Sequence, residues 1–310
     1  MEVWGIVLQA KLWNGGTLME GQLNLSIQKT LKNIVLYFLL FLAGDFINSL
    51  VWDLFFSVVE LPYRELYSVL RMSGQLFFTC LFFWIYTVKV LHLKMRSFEI
   101  SFDIKPWGVL FSVLLPAFVV LAFLLIGNGY VNSFAVSDAI LIVISSILTA
   151  LKAGIIEEML FRGFIMKLLE NRWNKFVAIF APSFLFSLLH IPSMETFSVA
   201  GVMLLIVSGT LVGIMFSLVA YKGNSISNSA IIHTVWNLVM VTGILHITTE
   251  QGYYGNPIFS IIIPFDNALL TGAGFGAEAS IIAIVGYACI CAVVLLSKNS
   301  KGLFIAGETK

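Results

Sequence analysis

Apolar stretches long enough to cross a lipid bilayer recur along this chain, near 34 to 56, 73 to 91, 107 to 127, 138 to 161, 176 to 190, 198 to 220, 226 to 246 and 279 to 297. A hydrocarbon core of about 30 Å needs about 20 consecutive apolar residues in helical form. The sequence therefore predicts an all-α, polytopic membrane helix bundle with about eight transmembrane helices. Composition agrees: 59% of the 310 residues are apolar, 11% are charged, and the mean hydropathy is +0.96. A soluble chain has about 45–50% apolar and about 25% charged residues. With a net charge of +1 and no run of basic residues, the electrostatic footprint of a nucleic-acid binder is missing. Cys80, Cys289 and Cys291 lie in apolar stretches without CxxC spacing, so neither a disulfide framework nor a zinc knuckle is expected. The first 30 residues show no short apolar core followed by a small-residue cleavage site, so no signal peptide is predicted.

Lys and Arg are distributed unevenly between the apolar runs. Three precede the first run, the successive connections hold 2, 4 (counting Lys89 at the very end of the second run), 0, 4, 0, 1 and 0, and three follow the last. Alternate segments, starting with the amino terminus, thus hold 15 of the 18 basic residues, the intervening ones hold 2, and Lys152 lies inside the fourth run. The positive-inside rule then predicts a multi-pass protein of the cell membrane with both termini cytoplasmic. The connection from 247 to 278 has no Lys or Arg and is rich in Gly and Pro, which reads as an outer loop with a partly re-entrant course. No internal repeat or low-complexity linker is visible. The chain divides into an amino-terminal region over 1–130 with three transmembrane helices, a helix bundle over 131–297, and a cytoplasmic tail over 298–310.

Ionisable residues inside lipid cost about 2.5–3.5 kcal/mol each on insertion scales and call for a partner or a task. Here they cluster. The fourth run contains Glu157-Glu158-Met-Leu-Phe-Arg162, the fifth ends Phe186-Ser-Leu-Leu-His190, and the seventh contains His233-Thr-Val-Trp-Asn237. Adjacent glutamates point about 100° apart on a helix. Glu158 and Arg162 have the i, i+4 spacing of an intrahelical ion pair, which leaves Glu157 to face a cavity. His233 and Asn237 share one helix face, as do Phe186 and His190. With a helix turn near Arg172 to Asn174, Glu157 and His190 sit level, about 23 and 25 Å from it along their helices. The charged stretch from Arg162 to Lys175 is expected to protrude into the cytoplasm. That would leave Glu157 about 8–10 Å below the surface and His233 about 10 Å deep, converging on a cytoplasm-facing cavity. Asp45, Asp53 and Lys152 are intramembrane charges outside this group, and Lys152 could pair with either aspartate. His92 and His246 fall near span ends and read as interfacial.

At these residues the chain resembles the intramembrane endopeptidases that include type II CAAX prenyl proteases and bacteriocin-processing or self-immunity proteins, the CPBP or Abi family. The family motifs EExxxR, FxxxH and HxxxN are matched, in that order, by Glu157, Glu158 and Arg162, by Phe186 and His190, and by His233 and Asn237. The resemblance covers about 140 to 297. It implies a peptidase bundle over 131–297, with Glu157, His190, His233 and Asn237 catalytic and Glu158, Arg162 and Phe186 supporting them. The expected reaction is cleavage of a hydrophobic or lipid-anchored peptide, or of a membrane-protein substrate in the bilayer, by a water activated by glutamate and histidine at the cytoplasmic side. HExxH, presenilin-type aspartate and rhomboid-type serine signatures are missing from the sequence.

The metal question has two answers at this stage. Glu157, His190 and His233 could supply three zinc ligands and leave a fourth position for water. Asparagine is a poor zinc ligand and suits an oxyanion donor better, so no obligatory metal is expected. Two non-peptidase classes compete: a non-catalytic membrane immunity or scaffold protein, and an ion or proton transporter with carboxylate and histidine relays.

Overall fold

The computed structural model describes residues 25–250, 252 and 257–297. The amino-terminal 24 residues, Gly255 of the long loop and the tail expected over 298–310 lie outside the described residues.

Each of the eight apolar stretches forms a helix. Helix α1 spans Ile27–Phe56, α2 spans Arg64–Trp84 and continues as a π-helical turn over Ile85–Val90, and α3 spans Pro106–Leu124. After strand β1 (Asn128–Val131), α4 (Val136–Glu158) runs through a π-helical segment, Met159–Ile165, into α5 (Met166–Arg172). Helices α6 (Lys175–Leu189), α7 (Val199–Gly223) and α8 (Ser227–Met240) follow. Strands β2 (Leu245–Thr248) and β3 (Phe259–Ile262) and a one-turn α9 (Ala268–Thr271) lead to α10 (Ile281–Leu296). Six of these are long and apolar enough to cross a membrane: α1, α2, α3, α4 with α5, α6 and α7. Helices α8 and α10, at 14 and 16 residues, fall short of the about 20 that a full crossing takes. The protein is a multi-pass helix bundle with this six-helix minimum.

Local chemistry sets the helix starts. Asn174 caps α6 by accepting from the Val177 amide at 2.9 Å, Ser198 caps α7 through Gly201 at 2.9 Å, and Ser280 caps α10 through Ala283 at 3.1 Å. The α5–α6 turn at Trp173 and Asn174 lies where the sequence expects it. Helices α4, α7 and α8 form the centre, with α2 against α4, α3 against α8, α6 and α10 against α7, and α1 outermost against α2. Gly154 decides how closely α4 and α8 approach. A Cβ there would lie 2.2 Å from Thr234 Oγ1 and 3.0 Å from the Ala230 carbonyl. Gly154→Val is therefore expected to push α8 away and lower the yield of folded protein, as read by size-exclusion chromatography in detergent; a fully folded Gly154→Val would contradict this packing.

Two groups of contacts define the two ends of the bundle. At one, the Ile226 amide donates to the Glu99 carbonyl, Asn228 bridges the backbones of Asp103 and Lys105, and Lys167 pairs with Glu99 and Glu170. At the other, a three-stranded sheet in the order β1-β3-β2 joins 128–131 to the long loop, and Glu195 donates its amide to the Gly274 carbonyl. The loop from 247 to 278 thus carries local structure of its own. Pairing satisfies its backbone without a helix.

Several sequence expectations need correction here. Most of the stretch after Arg162 does not protrude: residues from Met159 to Met166, with Leu168 and Leu169, are buried, and only its end, with Asn171, Trp173 and Asn174 exposed, reaches the surface. Pairing explains it, since Glu158 neutralises Arg162 and two carboxylates neutralise Lys167. The cavity therefore does not open beside the 162–175 turn but at the sheet end. Asp53 pairs with Arg71, and Asp45 is exposed. Lys152 pairs with neither aspartate but lines the cavity. His246 lines it too, from β2, rather than lying at an interface.

Candidate active site

A cavity of about 430 Å³ is enclosed by α4, α6, α7 and α8 and by the segment before α10. Glu157, Phe186, His190, His233 and Asn237 all line it. Glu158 and Arg162 lie behind its wall, with side chains 0% and 1% exposed.

The wall is assembled around Glu158. Its Oε1 accepts from Arg162 Nη1 at 2.9 Å and from His233 Nδ1 at 3.1 Å. The expected ion pair is thus present, but Glu158 also orients the histidine of α8. Arg162 donates from Nη2 to the Gly213 carbonyl of α7 at 3.1 Å. Its guanidinium lies 4.9 Å from the Phe186 ring and 5.2 Å from the Phe216 ring. Aromatic faces suit a weakly hydrated guanidinium, so one Arg–Glu pair ties α4, α6, α7 and α8 together. The π-helical segment begins directly after Glu158; such bulges recur at functional sites.

His233 is fixed on three sides. Phe216 stacks on its ring at 4.7 Å and 18°, Phe186 meets it edge-on at 6.1 Å, and Glu158 holds Nδ1. A proton on Nδ1 directs the other nitrogen into the cavity as an acceptor in the neutral ring and a donor in the doubly protonated ring. That nitrogen, Nε2, lies 3.8 Å from Glu157 Oε2, beyond hydrogen-bond length. His190 follows the same logic. Its Nδ1 bonds the Phe186 carbonyl at 2.8 Å, which leaves Nε2 free. Phe186 lies 4.4 Å from the His190 ring, so the FxxxH spacing serves as a packing device for both histidines and for Arg162. The Glu157 side chain is 22% exposed and its Oε2 has no hydrogen-bond partner among the described residues. Asn237 lines the same cavity, one helical turn beyond His233.

Sequence reading missed three lining residues: Glu278, Trp236 and His246. Trp236 Nε1 donates to Glu278 Oε2 at 3.0 Å, and the Tyr287 hydroxyl donates to the Glu278 carbonyl at 3.1 Å. Burial raises the Glu278 carboxyl above the usual carboxylate range, against the Trp236 bond and the two cavity histidines, which lower it. The one available signal was an isolated glutamate in a glycine-rich loop directly before a capped helix. Burial lowers the His246 imidazole below its ordinary value.

Among the described residues, no group of three His, Cys, Asp or Glu side chains comes together closely enough to hold a metal ion. Glu157, His190 and His233 share the cavity without forming such a set, and no step below runs through a metal.

Residues 139–239 match the family described as Type II CAAX prenyl endopeptidase Rce1-like. That segment contains all three motifs, from Glu157 to Asn237. No curated protein and no solved structure matches the chain.

Proposed function

We propose that the protein is an intramembrane endopeptidase whose nucleophile is a water activated by Glu157 and His190, a reading supported by the match of residues 139–239 to the family described as Type II CAAX prenyl endopeptidase Rce1-like. The observation that carries this reading is the meeting of Glu157, His190, His233 and Asn237 in one cavity, contributed by three separate helices.

Glu157, without a direct bond of its own, takes the proton from a water that also donates to His190 Nε2. The oxygen attacks the scissile carbonyl, and Glu157 passes the proton to the leaving amine. The oxyanion that develops is met by the Asn237 amide and by His233 Nε2. His233 can donate there only when both ring nitrogens carry protons. The cavity admits a hydrophobic, membrane-anchored peptide while limiting water.

Membranes containing the protein should release peptides that membranes containing His190→Ala do not. Identical peptide profiles would instead favour the non-catalytic immunity or scaffold reading. We also propose that no metal is obligatory. Purified active protein should hold no stoichiometric zinc and keep cleaving after exhaustive chelation; zinc whose removal abolishes cleavage and whose return restores it would refute this while leaving the same residues as the site.

A further inference from the structure

The cavity's mouth and the chain's basic residues occupy opposite ends of the bundle. The lip is formed by Ser193 and Glu195 after α6, by Thr242 and His246 after α8, and by Phe275 and Glu278 before α10. These belong to the sheet end, where Glu195 bonds Gly274 and the sheet spans 128 to 262. No residue of the connections at the other end, 91–105, 173–174 or 224–226, lines the cavity.

That other end is closed. Phe164 stacks on Tyr37 at 3.9 Å and meets Phe83 and Phe98 at 5.1 Å each, all four fully buried. Beyond this plug, Lys167 bridges Glu99 and Glu170 at 2.5 and 2.8 Å. Between Glu157 and the plug every residue is buried, including the Glu158–Arg162 pair. Water and peptide have no route to Glu157 from this side.

Among the described residues the closed end carries eleven Lys and Arg residues and the mouth end carries Arg64 and Arg71, Arg71 being paired with Asp53. Basic residues flanking membrane spans are retained on the cytoplasmic side. We propose that the cavity opens to the non-cytoplasmic face of the membrane. Its substrates, on the peptidase reading above, are exported or membrane-anchored peptides whose scissile bond is presented at that face. A lipidated tail held on the cytoplasmic leaflet would not reach Glu157. Lys152, the one Lys or Arg among the lining residues, then sits in a water-filled cavity rather than in lipid, which removes the cost of its place within α4.

The test is labelling of single cysteines in sealed membranes of known sidedness with a membrane-impermeant charged maleimide. The background carries Cys80→Ala, Cys289→Ala and Cys291→Ala. Ser193→Cys at the lip and Met240→Cys inside the cavity should label from the non-cytoplasmic face. Asn171→Cys at the closed end should lose all labelling there and label only when the cytoplasmic face is exposed. Glu195→Cys, on the same lip, replaces Ser193→Cys if that variant folds poorly. The reverse pattern overturns the proposal, as does a Met240→Cys that labels only from the side of Asn171→Cys. Labelling reads sidedness whether or not a peptide is cut, so its failure leaves the endopeptidase reading standing, and loss of that reading leaves the sidedness result intact.

Discussion

Glu157→Gln is expected to slow peptide cleavage by about 10²–10⁴-fold, the range of a positioned general base, while the amount of folded protein stays near that of the native chain. The two halves of this expectation come from the same geometry. Among the described residues Glu157 makes no hydrogen bond through Oε2, His233 Nε2 stands 3.8 Å from it, and its side chain reaches the cavity. An amide of equal size therefore strands no buried charge, and the loss is confined to chemistry. Glu158→Gln should behave differently. Glu158 is fully buried and holds both Arg162 and His233, so removing its charge leaves the guanidinium uncompensated and should reduce folded yield first. Turnover per folded molecule, with the folded fraction counted by chromatography, separates the two. A Glu158→Gln protein that folds well yet loses more turnover than Glu157→Gln would reverse the assignment of the two carboxylates, and full activity in both would remove the base altogether.

Much of this site was legible in the sequence because its cues are local. A helix period places Glu158 beside Arg162 and His233 beside Asn237, and the cost of charge in lipid turns each such pair into a signal. The i, i+4 ion pair and the exposure of Glu157 to the cavity follow from that spacing, and both are present. What the spacing lacks is any record of contacts between helices. The bond from His233 to Glu158 crosses 75 residues, and the bond from Trp236 to Glu278 crosses 42; nothing in either stretch announces its partner. The end of the bundle at which the cavity opens was not legible for a related reason. A run of charge from Arg162 to Lys175 resembles a solvated face until the neutralising groups, Glu99 among them, arrive from elsewhere in the chain. The three short strands escaped notice because four-residue segments beside Gly and Pro carry little periodicity.

Arg162→Ala should be the most damaging single change to folding. It removes the guanidinium bonded to a carboxylate that is 0% exposed, a situation that costs about 3–5 kcal/mol in buried pairs. It also empties a space between the Phe186 and Phe216 rings and releases the Gly213 carbonyl of α7. Removing both charges tells more. A buried ion pair replaced by uncharged residues of similar volume is often tolerated, so Glu158→Gln combined with Arg162→Met should recover a large part of the folded yield that Arg162→Ala loses. Cleavage should not recover with it. A glutamine at 158 can turn either its oxygen or its nitrogen toward His233 Nδ1 and so no longer fixes the ring's proton there as a carboxylate does, and loss of one oxyanion donor costs about 10²–10³-fold. Folded protein with little turnover would show that Glu158 acts on His233 as well as on Arg162. Recovery of both together would mean that the Glu158–Arg162 pair serves stability alone and that the oxyanion is stabilised without His233.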